Sequence, residues 1–305
     1  MQADTYLRYV FPQNPAVQPR DPGCPDYQPG AQGPRLRHRQ CRRERNPADP
    51  RVTHTLTLEV DDFGNVLKSA VIGYGRRQEI IVVDEKRKPI KISNPELKKL
   101  KPEDQEKQTR TLITYTDNRF TNAIDDSLKN PDGSVKYPDA FRTPLICDAR
   151  TYEITGAGLS DRTSRFQFED WINGYFELFR ITGQINYEDI ADLREKQNRL
   201  IEYVRTFYRK NDLTGLLELG SLDSMALPGD IFKLAFTPGL LEIVFQRKKT
   251  DGSIEHLLPN PSLLRSAEGG YCDSQTLRQA KLFPQDGTDR LWTKSINTRS
   301  STTSS

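Results

Sequence analysis

Carboxylates, thiols and imidazoles are the side chains with which this chain could do acid–base, nucleophilic or metal chemistry, and they are dispersed along it. Asp61-Asp62 and Asp125-Asp126 are adjacent pairs, and Glu202 stands in a charged stretch. Each has an ordinary turn, loop or helix–strand explanation, whereas a working acid and base must converge on one substrate atom. Cys24, Cys41, Cys147 and Cys272 are far apart and form no C-x-x-C pair, so they read as isolated thiols in a reducing compartment. His38, His54 and His256 are equally scattered and read as surface or strand residues. The turn Asp61-x-x-Gly64-Asn65 offers side-chain oxygens to a cation, but it lacks the ligand spacing and distal glutamate of an EF-hand. No GxSxG, HExxH or Walker motif occurs, and the Gly156/Gly158 pair is too sparse for a nucleotide fingerprint. The expectation is a chain with no catalytic residue, no cofactor and no metal.

Binding chemistry has two candidates. Between Asp161 and Asn186 lie Phe166, Phe168, Trp171, Tyr175, Phe176 and Phe179. Phe168, Trp171 and Tyr175 form a candidate binding surface for a sugar or a receptor. Packing is the competing reading, because each ring buries a large apolar area and the spacing fits one helix face. The second candidate is the basic cluster Arg35, Arg37, Arg39, Arg42, Arg43 and Arg45. Aromatic residues do not interleave it, so it reads as a solvated charge run and not as a nucleic-acid surface.

The elements that would carry these residues are short strands. Leu56, Leu58 and Val60 alternate with Thr55, Thr57 and Glu59, the period of a half-buried strand. Asp61, Asp62, Gly64 and Asn65 supply a structural turn into a second β-rich run, Val66 to Tyr74. Two strands cannot hold together alone in water, so this hairpin must belong to a larger sheet. Further strands are expected at Ile80–Val83 (buried), Thr109–Asn118, Arg150–Thr155, Ile231–Phe236, Leu241–Gln246 and Ile254–Leu258. Turns are expected at Asn130–Gly133, Pro228–Asp230, Pro238-Gly239 and Thr250–Ser253. A charged insertion over 84–108 carries short helices, the first opening at Asn94-Pro95 and the second at Pro102. From Tyr187 to about Gln197 the apolar spacing predicts a helix; Leu200 to Tyr208 alternates as a strand, and the boundary between them stays open.

Five strings in order, RNPADPR, VDDFGNVLKSAVIGYGRR, TLITYTDNRF, RTYEITG and LAFTPGLL, resemble the B component of bacterial insecticidal toxin complexes. The matching part is its TcdB-like middle/C-terminal region, related to SpvB and leading into Rhs/YD repeats. The resemblance runs from about Arg45 to Tyr271. It implies a mainly β fold with minor α, antiparallel hairpins forming part of an Rhs-like β-shell, and disordered termini. It also implies partners: the toxin-complex C component with its toxic cargo, and the A component. The implied role is structural and the implied destination extracellular. Some relatives carry an ADP-ribosyltransferase, but no Glu-x-Glu follows Ser301–Ser305, so that activity is not carried over.

The totals agree with a surface-rich protein. Only 35% of residues are hydrophobic and mean hydropathy is −0.73. The 45 basic and 42 acidic residues nearly cancel to +3, which argues against a general nucleic-acid role. No apolar run is long enough for direct membrane insertion, and Met1–Tyr6 does not open a signal peptide. The expected organisation is a Pro/Arg-rich disordered segment over 1–44, the β-rich region over 45–271, and a disordered tail over 272–305. The resemblance begins abruptly near Arg45, and the expectation from it is a fragment, such as a truncated or frame-disrupted gene would give.

Overall fold

A computed structural model describes residues 37–41 (backbone only), 48–157, 165–166, 170–171, 183–258, 260–284 and 289–296. Within them the chain is mainly antiparallel β. Strands β1 (Arg37–Cys41), β2 (Val52–Val60), β3 (Val66–Gly73), β6 (Leu112–Phe120), β7 (Ile146–Thr155), β9 (Gln197–Tyr208), β10 (Pro228–Phe236), β14 (Leu291–Ile296) and β13 (Tyr271–Asp273) form one sheet in that spatial order. A short β8 (Gln184–Ile185) pairs parallel to β9. Two separate hairpins, β4 (Glu79–Val83) with β5 (Pro89–Ser93) and β11 (Gln246–Lys248) with β12 (Ile254–His256), stand outside it. Among the described residues there are also four short α-helices, α1 (Pro95–Lys98), α2 (Pro102–Thr109), α3 (Pro238–Val244) and α4 (Ser274–Gln279), and one 3-10 turn over Pro261–Arg265.

One face of the sheet carries two aromatic-rich cores side by side. In the first, Leu56, Ala70, Ile72, Ile113, Tyr115 and Ile154 of β2, β3, β6 and β7 pack with Phe166 and Trp171. In the second, Tyr203, Phe207, Phe232 and Trp292 of β9, β10 and β14 pack with Leu277 and Phe283. The two share a face because directly opposed residues in a sheet point the same way. Tyr152, against the first core, lies opposite Leu200, against the second. A third, smaller cluster of Ile124, Tyr208 and Leu222 joins the loops after β6 and β9.

The expected turn lies between β2 and β3. Gly64 takes φ +80°, a conformation that a Cβ disfavours. Gly156, with φ +66°, ends β7; a Cβ there would also meet the Glu195 carbonyl. Asn94 caps α1 by accepting from the Glu96 N–H, with Pro95 in the first turn.

Several expectations are corrected. Arg37–Cys41, placed in the disordered segment, is an edge strand in register with β2. The insertion over 84–108 contains a strand, β5, and of the run Ile80–Val83 only Ile80 is buried. The helix expected up to Gln197 does not form among the described residues: 186–196 is turns and irregular chain, and Ile190 is 97% exposed. Pro228–Asp230 begins β10 instead of turning, and Pro238–Val244 is a helix instead of a turn and a strand. The tail expected to be disordered from Cys272 instead supplies α4 and β14, with Trp292 in the second core. The errors at Arg37–Cys41, at Pro228–Asp230 and in the tail share one cause: each segment acquires its conformation from partners distant in sequence, which local composition does not register.

Candidate functional site

The two cores are joined by a row of charges on the same face, and this row is the densest polar constellation in the described structure. Across successive strands Glu59 faces Lys68, Lys68 faces Asp117, Asp117 faces Arg150, and Arg150 faces Tyr203. In the next row Arg119 faces Asp148, Asp148 faces Arg205, and Arg205 faces Phe232, which faces Lys294. Signs alternate at the first strand-to-strand steps of both rows, as cross-strand pairs on one face require for attraction.

The row runs from water into the interior. Glu59 and Lys68 meet at 2.5 Å on the open side. At the inner end Asp148 is buried and Arg205 is 1% exposed. Asp148 accepts from Arg150 Nε at 3.0 Å, from the Tyr203 hydroxyl at 2.9 Å and from Arg205 Nε at 3.2 Å. The Tyr203 oxygen in turn accepts from both Arg150 and Arg205 while donating to Asp148, which uses its full hydrogen-bonding capacity. The Arg205 guanidinium lies 4.2 Å from the Phe283 ring centroid and 5.5 Å from that of Trp292. Burial first, and the Asp148 charge second, push the Tyr203 hydroxyl up to about 12. Two cations, one carboxylate and a phenol that stays protonated make a structural lock between strands. At that position the Tyr203 hydroxyl serves as a fixed donor to Asp148.

The other groups with chemical potential are occupied structurally. Burial pushes the Cys147 thiol up to about 11, and it donates to the Arg119 carbonyl, which makes it a poor nucleophile. Burial also raises the Cys272 thiol. The carboxylates of Asp125, Asp132, Asp212 and Asp251 are held below their usual range by the Ser or Thr two residues on, in exposed turns. His54 is buried in β2 with Nδ1 at 3.3 Å from the Tyr74 hydroxyl. Among the described residues no group of three or more His, Cys, Asp or Glu side chains could hold a metal ion.

Asp61 organises the turn singled out from the sequence. Its Oδ1 accepts from Phe63 N–H at 2.9 Å and Asn65 N–H at 2.8 Å, and its Oδ2 accepts from Asn65 Nδ2 at 2.9 Å. Asp62 is exposed and Gly64 supplies the positive φ. Both Asp61 oxygens therefore serve the turn itself. Asp61→Ala is expected to cost about 1–2 kcal/mol in urea unfolding, because three hydrogen bonds to one carboxylate are lost at a half-exposed site. Asp62→Ala is expected to stay within about 0.5 kcal/mol, as an exposed residue outside such a network.

Of the candidate aromatic surface, Trp171 alone falls among the described residues. Trp171 is 0% exposed, packed with Phe166 at 5.7 Å between ring centroids, because the apolar face of the first core needs a cover. Phe168 and Tyr175 lie outside the described residues. The buried Asp148–Tyr203–Arg205 lock was not found from sequence. Its signal was present in the charges at Asp148, Arg150 and Arg205, which lie among strand-forming residues and meet only through the register of β7 with β9.

The family described as "Insecticide toxin TcdB middle/C-terminal region" matches residues 26–130, about a third of the chain. A solved chain described as part of the Photorhabdus luminescens Tc holotoxin pore is similar at 18% identity and a TM-score of 0.46. That likeness covers 85% of this chain and 10% of the other, so this chain spans about a tenth of that one's length. No curated protein matches. Residues 26–130, where β1 to β6 and the charged insertion lie, are thus similar to a TcdB-like toxin-component region.

Proposed function

We propose that this chain is a non-catalytic structural segment of an insecticidal toxin-complex B component, contributing sheet to the β-shell that encloses the toxic C-terminal part of a partner subunit. The observation that carries the reading is the TcdB match, which falls on β1, β2, β3 and β6 of the large sheet and on the β4–β5 hairpin. Two further features support it. Among the described residues the sheet is open, ending at β1 on one side and at the three-residue β13 on the other. Its chemistry-bearing side chains are spent on strand-to-strand locks. On this reading the partners are the toxin-complex C component with its cargo and the A component, and the destination is extracellular.

An open sheet leaves edge N–H and C=O groups that favour pairing with more chain. The purified chain is therefore expected to melt below the range of about 45–65 °C usual for mesophile domains, and to melt higher when a C-component shell is co-purified with it. A cooperative melt above that range without the C component, unchanged by its addition, would overturn the proposal. ADP-ribosylation and NAD-glycohydrolase assays on the same sample are expected to be silent.

A further inference from the structure

The β4–β5 hairpin is the part of the described structure least explained by the shell reading. It is a two-stranded sheet of its own, anchored at its base and free along its length. At the base Ile80 is buried, and Asn94, which follows β5, donates through Nδ2 to Asp49 and to the Arg77 carbonyl while its N–H donates to the Gln78 carbonyl. Beyond the base, Ile81 is 60% and Val83 68% exposed, side by side on one face. Among the described residues β4 pairs only with β5, so its outer edge presents unsatisfied backbone groups next to two exposed aliphatic side chains. Such an edge is a template for another strand, and a two-stranded ribbon is marginal without one.

We infer that β4 is a self-association edge, and that its occupant is β4 of a second copy of this chain, paired antiparallel about Ile81. The sequence of the edge supports that partner. Directly opposed residues in an antiparallel pair share a face, so a two-fold pair of identical strands must centre on a residue. Centring on Ile81 is the register that pairs all of Glu79–Val83. It places Ile81 against Ile81, Ile80 against Val82, and Glu79 against Val83. Just beyond the strand it places Arg77 opposite the exposed Glu85 on both sides of the two-fold. Moving the centre to Val82 would set Glu79 against Glu85, two like charges, and moving it to Ile80 would shorten the overlap. The favoured register clusters Ile81 and Val83 of both copies on one face of a four-stranded sheet. The result is a closed, isologous dimer contact.

The test is sedimentation equilibrium of the full chain, with a circular-dichroism melt of each variant as the folding control. Wild type is expected to dimerise, and Ile81→Lys to raise the dimer dissociation constant at least tenfold while leaving the melt of the dilute monomer unchanged. Arg77→Glu is expected to weaken the dimer several-fold, and Arg77→Glu with Glu85→Arg to restore it. A monomer throughout the accessible concentration range overturns the inference. So does a dimer insensitive to Ile81→Lys, which would use another edge, or a charge reversal that the double swap does not rescue. The inference does not depend on the toxin-complex reading, because neither a partner subunit nor a shell enters the measurement.

Discussion

Asp148→Asn lowers the unfolding free energy by about 3–5 kcal/mol, the range for removing one partner of a buried ion pair. The substitution keeps the shape of the side chain and removes its charge. Arg205, buried under Phe283 and Trp292, then loses the carboxylate that its Nε meets at 3.2 Å, and the Tyr203 hydroxyl loses its charged acceptor. Arg150 suffers less, since its side chain is 26% exposed and can turn towards water. The double replacement Asp148→Leu with Arg205→Met is expected to recover most of the loss, because an apolar pair needs no desolvation of charge. Urea unfolding of the three variants checks both statements. Glu202→Gln is the control: its 2.5 Å pair with Lys233 is about half exposed, and its loss is expected to stay within about 1 kcal/mol. A small effect of Asp148→Asn would mean that water reaches the inner end of the charge row.

Trp292→Ala is expected to cost a similar amount, about 3–5 kcal/mol, as a large aromatic leaves a packed interior. The indole meets Phe283 edge-on at 4.8 Å and Tyr203 at 5.2 Å, and its Nε1 donates to Ser274 Oγ at 2.9 Å. Its removal also uncovers Arg205, so the effect should not add simply to that of Asp148→Asn. The chain has two tryptophans, and the structure puts one in each core. In Trp292→Ala the remaining fluorescence comes from Trp171 and reports the first core alone. A Trp171 transition at higher urea than the loss of β-sheet circular dichroism would show the second core opening first. Unchanged stability would put β14 outside the cooperative unit.

Legibility of the sequence followed the reach of the interactions. The β2–β3 hairpin was plain because the alternation from Thr55 to Val60 and the Asp61–Asn65 turn are both local. Strand β9 was obscured by one residue. The register with β7 slips between Thr151 and Tyr152, so that Ile201 is extra, and Leu200 and Tyr203 come to the same face although they are three apart. A bulge of this kind replaces a spacing of two by one of three, which interrupts the alternation of Leu200 to Tyr208 and leaves the boundary between helix and strand open in the sequence. Helix α3 was hidden for a different reason. The run Pro238–Val244 is too short for its period to separate helix from strand, and its real marker was Thr237, whose hydroxyl accepts from Leu240 N–H ahead of Pro238. Strand β14 was missed because Trp292 and Leu291 are buried by α4, β10 and the Phe283 loop, none of which its polar neighbours Thr293, Lys294 and Ser295 announce. The charge row was equally invisible. Its members come from five strands, and only the register brings them into line.

The late position of β14 has a consequence for synthesis. Strands β2, β3, β6 and β7 leave the ribosome together and can close the first core as hairpins of neighbouring chain. Phe207 and Phe232 emerge next, but the strand that covers them follows about 60 residues after its pairing partner, as the match of Lys233 with Thr293 shows. At about 5–20 residues per second, the nascent chain carries an aromatic surface without its cover for several seconds. That interval is when a chaperone, or a mispaired neighbour, would meet this protein.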